Sequence, residues 1–417
     1  MNRPTPEATQ REIGPVSARV QMGRTIPDRW QIATAICLSL TAFCAFLVGI
    51  GAVIYGSGQA GNRTRDFVAY WGSAQQLVRG NDPYEPADYL HLDRPTILGG
   101  YHMPVMLNPP IMFWLVAPLG MFGAKGAALL WWIFLAVGLA ISMYALKKMN
   151  EQPAGRLYLL GLCFAPVLYC FMSGQIGVFL LLGIALFLWF QEGHPFWAGA
   201  ALIFCAVKPH LFLPFGLVLI LWILEQKQYR MLAGFASALA AVSAFAFWLD
   251  PSAWPQWLKM MRSMQVAEWP VPTLSRWVSA SLDRGANWLP FLPLVIGTIW
   301  GAWYFFRRRG CWNWRDQGLI LLIVSVGCSP YAWLTDEALL LPALLIGACR
   351  AQAFGRPLLP LAVILLAELC ELLGGMGMTS QGYLWTVPAY LAWYLYATRK
   401  AERIARPVST EAPRYSE

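Results

Sequence analysis

Apolar residues run in long blocks along this chain, broken by short polar stretches. The blocks cover residues 31–55, 124–146, 157–172, 176–190, 195–208, 209–224, 231–249, 288–306, 316–333, 337–349, 357–373 and 383–398. A segment in hydrocarbon must satisfy its own backbone hydrogen bonds, so blocks of this kind predict helices. Several are shorter than the ~20 residues that a straight crossing needs. The pair 195–208 and 209–224 also reads as one long broken helix. The expected fold class is all-α, a polytopic membrane protein with about twelve transmembrane helices.

The two longest polar stretches, 56–123 and 250–287, carry helices of their own. From Asp66 to Arg79 the pattern reads as a short helix closed by Gly80, followed by the turn Asn81-Asp82-Pro83-Tyr84. Spacing puts Asp66, Tyr70 and Ser73 on one face. Further on, Pro104, Pro109 and Pro110 rule out a regular helix up to Pro110. The segment around Tyr101-His102-Met103-Pro104 and Asn108-Pro109-Pro110 reads either as a re-entrant or surface piece closing over a site, or as a plain turn. In the second stretch Trp254, Trp257, Leu258 and Met261 recur at helical spacing, with Lys259 and Arg262 offset. That is the pattern of an interfacial helix lying on a membrane.

Composition agrees with this picture. Hydrophobic residues make up 58% of the chain and charged ones only 13%, against about 25% charged in soluble domains. The 21 tryptophans suit many helix ends near headgroups. A net charge of +9 on a soluble protein would raise nucleic acid as a partner. Here no such motif is present, and the basic residues sit in short loops between apolar blocks, where they orient a membrane protein. With the N-terminus inside, most lysines and arginines fall inside, including Lys147, Lys148 and Arg307 to Arg309. Both termini are then cytoplasmic. Both long loops face outward, together with the breaks at Ser173-Gly174-Gln175, Lys208-Pro209-His210, Ser329 to Asp336, and 374–382. Residues 1–30 are polar and proline-bearing, with no cleavable signal peptide, and read as a disordered cytoplasmic tail. Residues 399–417 read as a second one.

Several residues could carry chemistry on that outward face. Asp66 is either a general base held beside Arg63 and Arg65 or a first-turn acid favouring the helix dipole. Lys208 lies in an apolar stretch, where a charge is expensive; it either faces a phosphate or snorkels to the headgroups. Arg276 is suited to bidentate binding of an anionic headgroup, or is an ordinary surface residue. The adjacent Asp336 and Glu337 could bind sugar hydroxyls or a cation, or simply mark a loop emerging into water. Glu368 and Glu371 pose the same choice. The nine cysteines show no paired spacing and read as small helix residues. No nucleotide-binding signature and no metal-ligand spacing appears. A lipid-borne substrate, supplied within the bilayer, is the natural alternative to a soluble activated one.

In four segments the sequence resembles glycosyltransferase family 87, the polyprenol-phosphate-mannose-dependent mannosyltransferases within the GT-C superfamily. They are Asp66-Phe67-Val68-Ala69-Tyr70 running to Gly80-Asn81-Asp82-Pro83-Tyr84; Asn108-Pro109-Pro110 with Pro118-Leu119; Gly174-Gln175-Ile176-Gly177 with Lys208-Pro209-His210; and Ser329-Pro330-Tyr331-Ala332-Trp333 with Asp336. The likeness implies a GT-C transmembrane catalytic domain over 31–398, working at the extracytoplasmic face of a bacterial cytoplasmic membrane without a metal or other cofactor. It implies transfer of a hexose, mannose by the family's habit, from a polyprenyl-phosphate sugar to a lipid or glycan acceptor, with inversion. Asp66 would be the general base, and Lys208 and Arg276 would steady the leaving phosphate. Tyr70, His102, Asn108, Gln175, His210 and Asp336 are the expected substrate contacts. Some relatives carry His near the Trp333 segment, where this chain has Thr335 and Asp336. The competing reading is a transporter or flippase of a lipid-linked sugar.

Overall fold

In a computed structural model of the chain, regular structure is helical, with no strand among the described residues. The structure describes residues 29–58, 65–85, 105–149, 155–263, 271–282, 288–374 and 381–399. Four helices among them are long and apolar enough to cross a membrane: Arg29–Ile50, Ala124–Met149, Tyr229–Leu249 and Leu289–Cys311. Where about twelve crossings are expected, much of the remaining apolar sequence forms shorter helices, such as Gly177–Phe190 and Gln317–Gly327. Prolines are one physical reason. Pro195, Pro209, Pro214 and Pro342 each occupy one of the first two positions of a helix, where a missing N–H is harmless. Pro214 and Pro342 restart helices inside blocks that look continuous, and Pro209 does so where 195–208 and 209–224 could read as one. The block pair 195–208 and 209–224 becomes Pro195–Ala201, Ile203–Ala206, Pro209–Phe212 and Leu213–Glu225.

Large apolar side chains point outward along these helices, as at Phe43, Phe46, Ile296 and Ile299, all more than half exposed. Such a surface is unfavourable in water and suits a lipid environment. Between helices, glycine permits close approach. A Cβ on Gly199 would stand 1.8 Å from the Met231 carbonyl oxygen, and one on Gly234 would stand 1.9 Å from that of Phe196. Helices Pro195–Ala201 and Tyr229–Leu249 are therefore in backbone contact, the arrangement that small residues allow in membranes.

The bundle has two chemically distinct ends. Helices Ala124–Met149 and Leu292–Arg308 finish in Lys147-Lys148 and Arg307-Arg308. Near the same end Glu192 lies 3.2 Å from Arg315, the Arg350 guanidinium bonds Asp316, and the Tyr394 hydroxyl donates to the Arg315 carbonyl at 3.1 Å. Helix Gly177–Phe190 leads back from Glu192 over about 21 Å to the break at Ser173-Gly174-Gln175. There it meets the other breaks and the helices of the two long loops.

Candidate active site

The helix predicted over 66–79 forms as Arg65–Arg79, with Asp66 in its first turn and Arg79 in its last. Gly80 stops it at a φ of +72°, a left-handed geometry that suits glycine. The Asp82 carboxylate accepts the Tyr84 N–H at 2.8 Å, and the Ser73 hydroxyl donates to the Pro83 carbonyl at 2.7 Å. The helix buries Phe67, Tyr70, Trp71, Ala74 and Leu77 and leaves Asp66 half-buried. Tyr70 donates through its hydroxyl to Gln175 Oε1 at 3.0 Å. Burial raises the Tyr70 phenol well above its ordinary range, and the negative charges of Asp66 and Asp336 push the same way.

The piece from Val105 to Gly120 is largely buried. Its 3-10 turn begins at Pro110, in keeping with the prolines before it. Asn108 donates through Nδ2 to the Val207 carbonyl at 3.0 Å, while the Asn108 carbonyl accepts the Tyr84 hydroxyl at 3.0 Å. The helix expected around Trp254 and Trp257 forms as Ala253–Ser263 and anchors there as well, Trp257 Nε1 donating to the Leu107 carbonyl at 3.0 Å.

At the centre lies a buried ion pair. Lys208 Nζ stands 2.7 Å from Asp336 Oδ1, with side chains 7% and 0% exposed. Lys208 is delivered by the break before Pro209. Asp336 is the third residue of the 3-10 segment Leu334–Leu340, and its other oxygen accepts the Trp333 N–H at 3.0 Å. Around the pair, the His210 ring packs edge-on against Tyr331, with centroids 5.7 Å apart. Trp333 Nε1 bonds the Tyr331 hydroxyl. Arg276 lies half-buried in helix Leu274–Leu282, whose Ser275 hydroxyl donates to the Ser329 carbonyl at 3.0 Å.

Five separated stretches thus meet: 65–85, 105–121, 173–177, 207–210 and 329–337, with helix Leu274–Leu282 attached. Tyr70, Asn108, Gln175, Lys208, His210 and Asp336 all lie in this assembly, with Asp66 on its edge. His102 and Arg63 lie outside the described residues. Two details differ from the separate ligands expected. Lys208 and Asp336 are partners of one another, and Tyr70, Asn108 and Gln175 are buried and hydrogen-bonded to protein groups. The neighbouring carboxylates Asp336 and Glu337 diverge, because successive residues of a 3-10 turn point about 120° apart. Glu337 instead accepts the Thr386 hydroxyl at 2.8 Å. Glu368 accepts the Tyr390 hydroxyl at 2.7 Å and Glu371 the Trp385 indole at 3.0 Å. Among the described residues, no group of three or more His, Cys, Asp or Glu could hold a metal ion.

Sequence reasoning gave no role to Gly174, Tyr331 or Trp333, though all three lie in segments with family likeness. The available signals were a glycine directly after a helix and two aromatics flanking a polar break. No curated protein and no solved structure matches the chain. The model described as glycosyltransferase family 87 matches residues 107–330, a stretch that holds Lys208 of the buried ion pair, the Asn108 turn and the Gly174 break, and ends before Asp336. With more than half of its length matched, this chain belongs to glycosyltransferase family 87.

Proposed function

We propose that this membrane glycosyltransferase moves a hexose, mannose in the first place, from a polyprenyl monophosphate to an acceptor hydroxyl, with inversion at the anomeric carbon. The acceptor is a lipid or a glycan. Asp66 is the general base. Its carboxylate takes the proton of the acceptor hydroxyl while that oxygen attacks the anomeric carbon from the face opposite the phosphate. The bond from that carbon to the phosphate oxygen breaks, and polyprenyl phosphate leaves with the electron pair. Negative charge grows on the leaving oxygen, and fixed cations near it lower the barrier. Arg276 and Lys208 fill that role. Lys208 brings its charge already paired with Asp336, so an arriving phosphate joins an existing pair rather than a bare ammonium.

The observation that carries this reading is the position of Asp66. It is a half-buried carboxylate in the first turn of a helix held against the breaks of the apolar sequence, its Tyr70 hydroxyl bonding Gln175 at 3.0 Å one turn on. The excess of lysine and arginine at the other end supports an orientation with this end outside the cytoplasmic membrane of a bacterium and both termini within. A lipid-borne donor reaches such a site without a soluble nucleotide sugar.

The test uses purified protein in nanodiscs, radiolabelled polyprenyl-phosphate-mannose and an extract of membrane lipid. Wild type is expected to transfer label to a new product, and Asp66→Asn to lose about 100-fold or more of that rate, the scale of a missing general base. Full activity in Asp66→Asn would sink the assignment. Movement of the lipid-linked sugar across the bilayer without a new glycosidic bond would favour a flippase instead.

A further inference from the structure

Gly174 sits in a tightly constrained place. It terminates helix Ala165–Ser173 at φ +72°, its N–H returning to the Cys170 carbonyl. Its own carbonyl accepts the Trp131 indole at 2.7 Å. Above it sits the residue that follows Asp66. A Cβ on Gly174 would stand 2.6 Å from Phe67 Cβ and 3.2 Å from both the Phe67 backbone N and Cα. A methyl group there would press on the backbone of the first turn of helix Arg65–Arg79, a part that cannot swing aside as a side chain tip can. One turn on, the Tyr70 hydroxyl reaches Gln175 Oε1 at 3.0 Å, and the same oxygen accepts the Ile176 N–H at 3.1 Å. The Tyr70 ring lies on Trp131, with centroids 5.3 Å apart. Two consecutive residues, Gly174 and Gln175, therefore hold the helix on either side of its first turn, and Trp131 closes the back.

The far end of the helix is held by a second glycine. A Cβ on Gly120 would stand 2.3 Å from the Ala74 carbonyl oxygen, and Gln75 Nε2 donates to the Gly120 carbonyl at 2.9 Å. Contacts at both ends of the helix resist its sliding or rolling, and so fix where its backbone presents Asp66.

We infer that Gly174, with the Tyr70–Gln175 hydrogen bond, is a positioning device that sets the place of Asp66, and that Tyr70 and Gln175 serve the reaction through this bond rather than by touching substrate. The inference rests on the reading of Asp66 as the base. A displacement of about 1 Å in a reacting group costs on the order of 100-fold in rate while leaving binding nearly untouched. The signature is thus a loss in kcat with little change in KM.

The experiment compares wild type, Tyr70→Phe, Gly174→Ala, the double variant Gly174→Ala/Phe67→Gly, and Asp66→Asn. Each is taken from a monodisperse peak in nanodiscs and assayed with radiolabelled polyprenyl-phosphate-mannose at a fixed excess of lipid extract. Tyr70→Phe and Gly174→Ala are expected to lose about 10- to 100-fold in kcat, with the donor KM within about twofold of wild type. Phe67→Gly is expected to restore part of the Gly174→Ala loss by removing the Cβ that collides. If Gly174→Ala does not fold, Tyr70→Phe, which deletes one oxygen, decides the matter. Normal kcat in both variants beside an inactive Asp66→Asn overturns the positioning role alone, and so does a loss confined to KM. An active Asp66→Asn overturns the base assignment itself, whatever the other variants do.

Discussion

Lys208 and Asp336 form an ion pair buried among apolar side chains. Each charge would be costly alone among apolar side chains, and each is tolerable because the other is 2.7 Å away. Asp336 is further tied down by the Trp333 N–H, so its carboxylate has both oxygens engaged. Removing one partner strands the other charge, a change that costs about 3–5 kcal/mol in buried sites. Asp336→Asn and Lys208→Met are each expected to lower the melting temperature followed by tryptophan fluorescence. The double variant Lys208→Met/Asp336→Leu is expected to recover most of that stability while remaining inactive, since an apolar pair packs well but offers phosphate no charge. Unchanged melting in both single variants would show that the pair does not matter to stability. An active double variant would remove Lys208 from the reaction.

Among the elements, glycine decides which helices touch. Helices Pro195–Ala201 and Tyr229–Leu249 meet through Gly199 and Gly234 with backbone nearly on backbone. In lipid no hydrophobic drive pulls helices together, so close packing has to hold them. Gly234→Leu would wedge the pair apart, and the fraction of monodisperse protein on size exclusion should fall sharply. A wild-type elution profile for Gly234→Leu would refute that account. Gly177 poses the same constraint nearer the active site: a Cβ there would stand 2.0 Å from the Thr335 carbonyl oxygen. Gly177→Ala must move either the start of helix Gly177–Phe190 or the segment that carries Asp336. Loss of transfer activity beyond the loss of folded protein is the expected result, measured as rate per folded molecule.

For the whole molecule the testable quantity is its orientation. The cluster around Lys208 and the basic end near Arg315 lie at opposite ends of helix Gly177–Phe190, and the positive-inside rule predicts that the basic end faces the cytoplasm. Lys259, whose side chain is 80% exposed on the interfacial helix, marks one end, and the exposed Cys311 marks the other. In intact cells a membrane-impermeant maleimide should label Lys259→Cys, whereas Cys311 should react only after lysis. The reverse pattern would invert the topology and move the active site to the cytoplasmic side.

Much of this was readable from residue order. The helix from Arg65 to Arg79 announces itself through an acid at its start, an apolar face and Gly80 at its end, all local signals set by backbone geometry. The interfacial helix around Trp254 and Trp257 is equally local, and so is the membrane character, because it follows from composition and block length alone. The places where the breaks fall, at Gly174, Pro209 and Ser329, were also visible, since glycine, proline and polar side chains interrupt an apolar helix wherever they occur. Tertiary structure decided the rest. Nothing local tells Lys208 that its partner lies 128 residues on, or turns Asp336 one way and Glu337 the other. Only close packing makes Gly174 a resting place for Phe67 rather than an ordinary helix stop. The lengths of the helices belong here too: an apolar block states that a segment avoids water, but prolines and neighbouring helices determine where it bends and how much of it remains one helix. Sequence acts through neighbours in the chain, whereas pairing across the bundle depends on which surfaces fit once the helices have met.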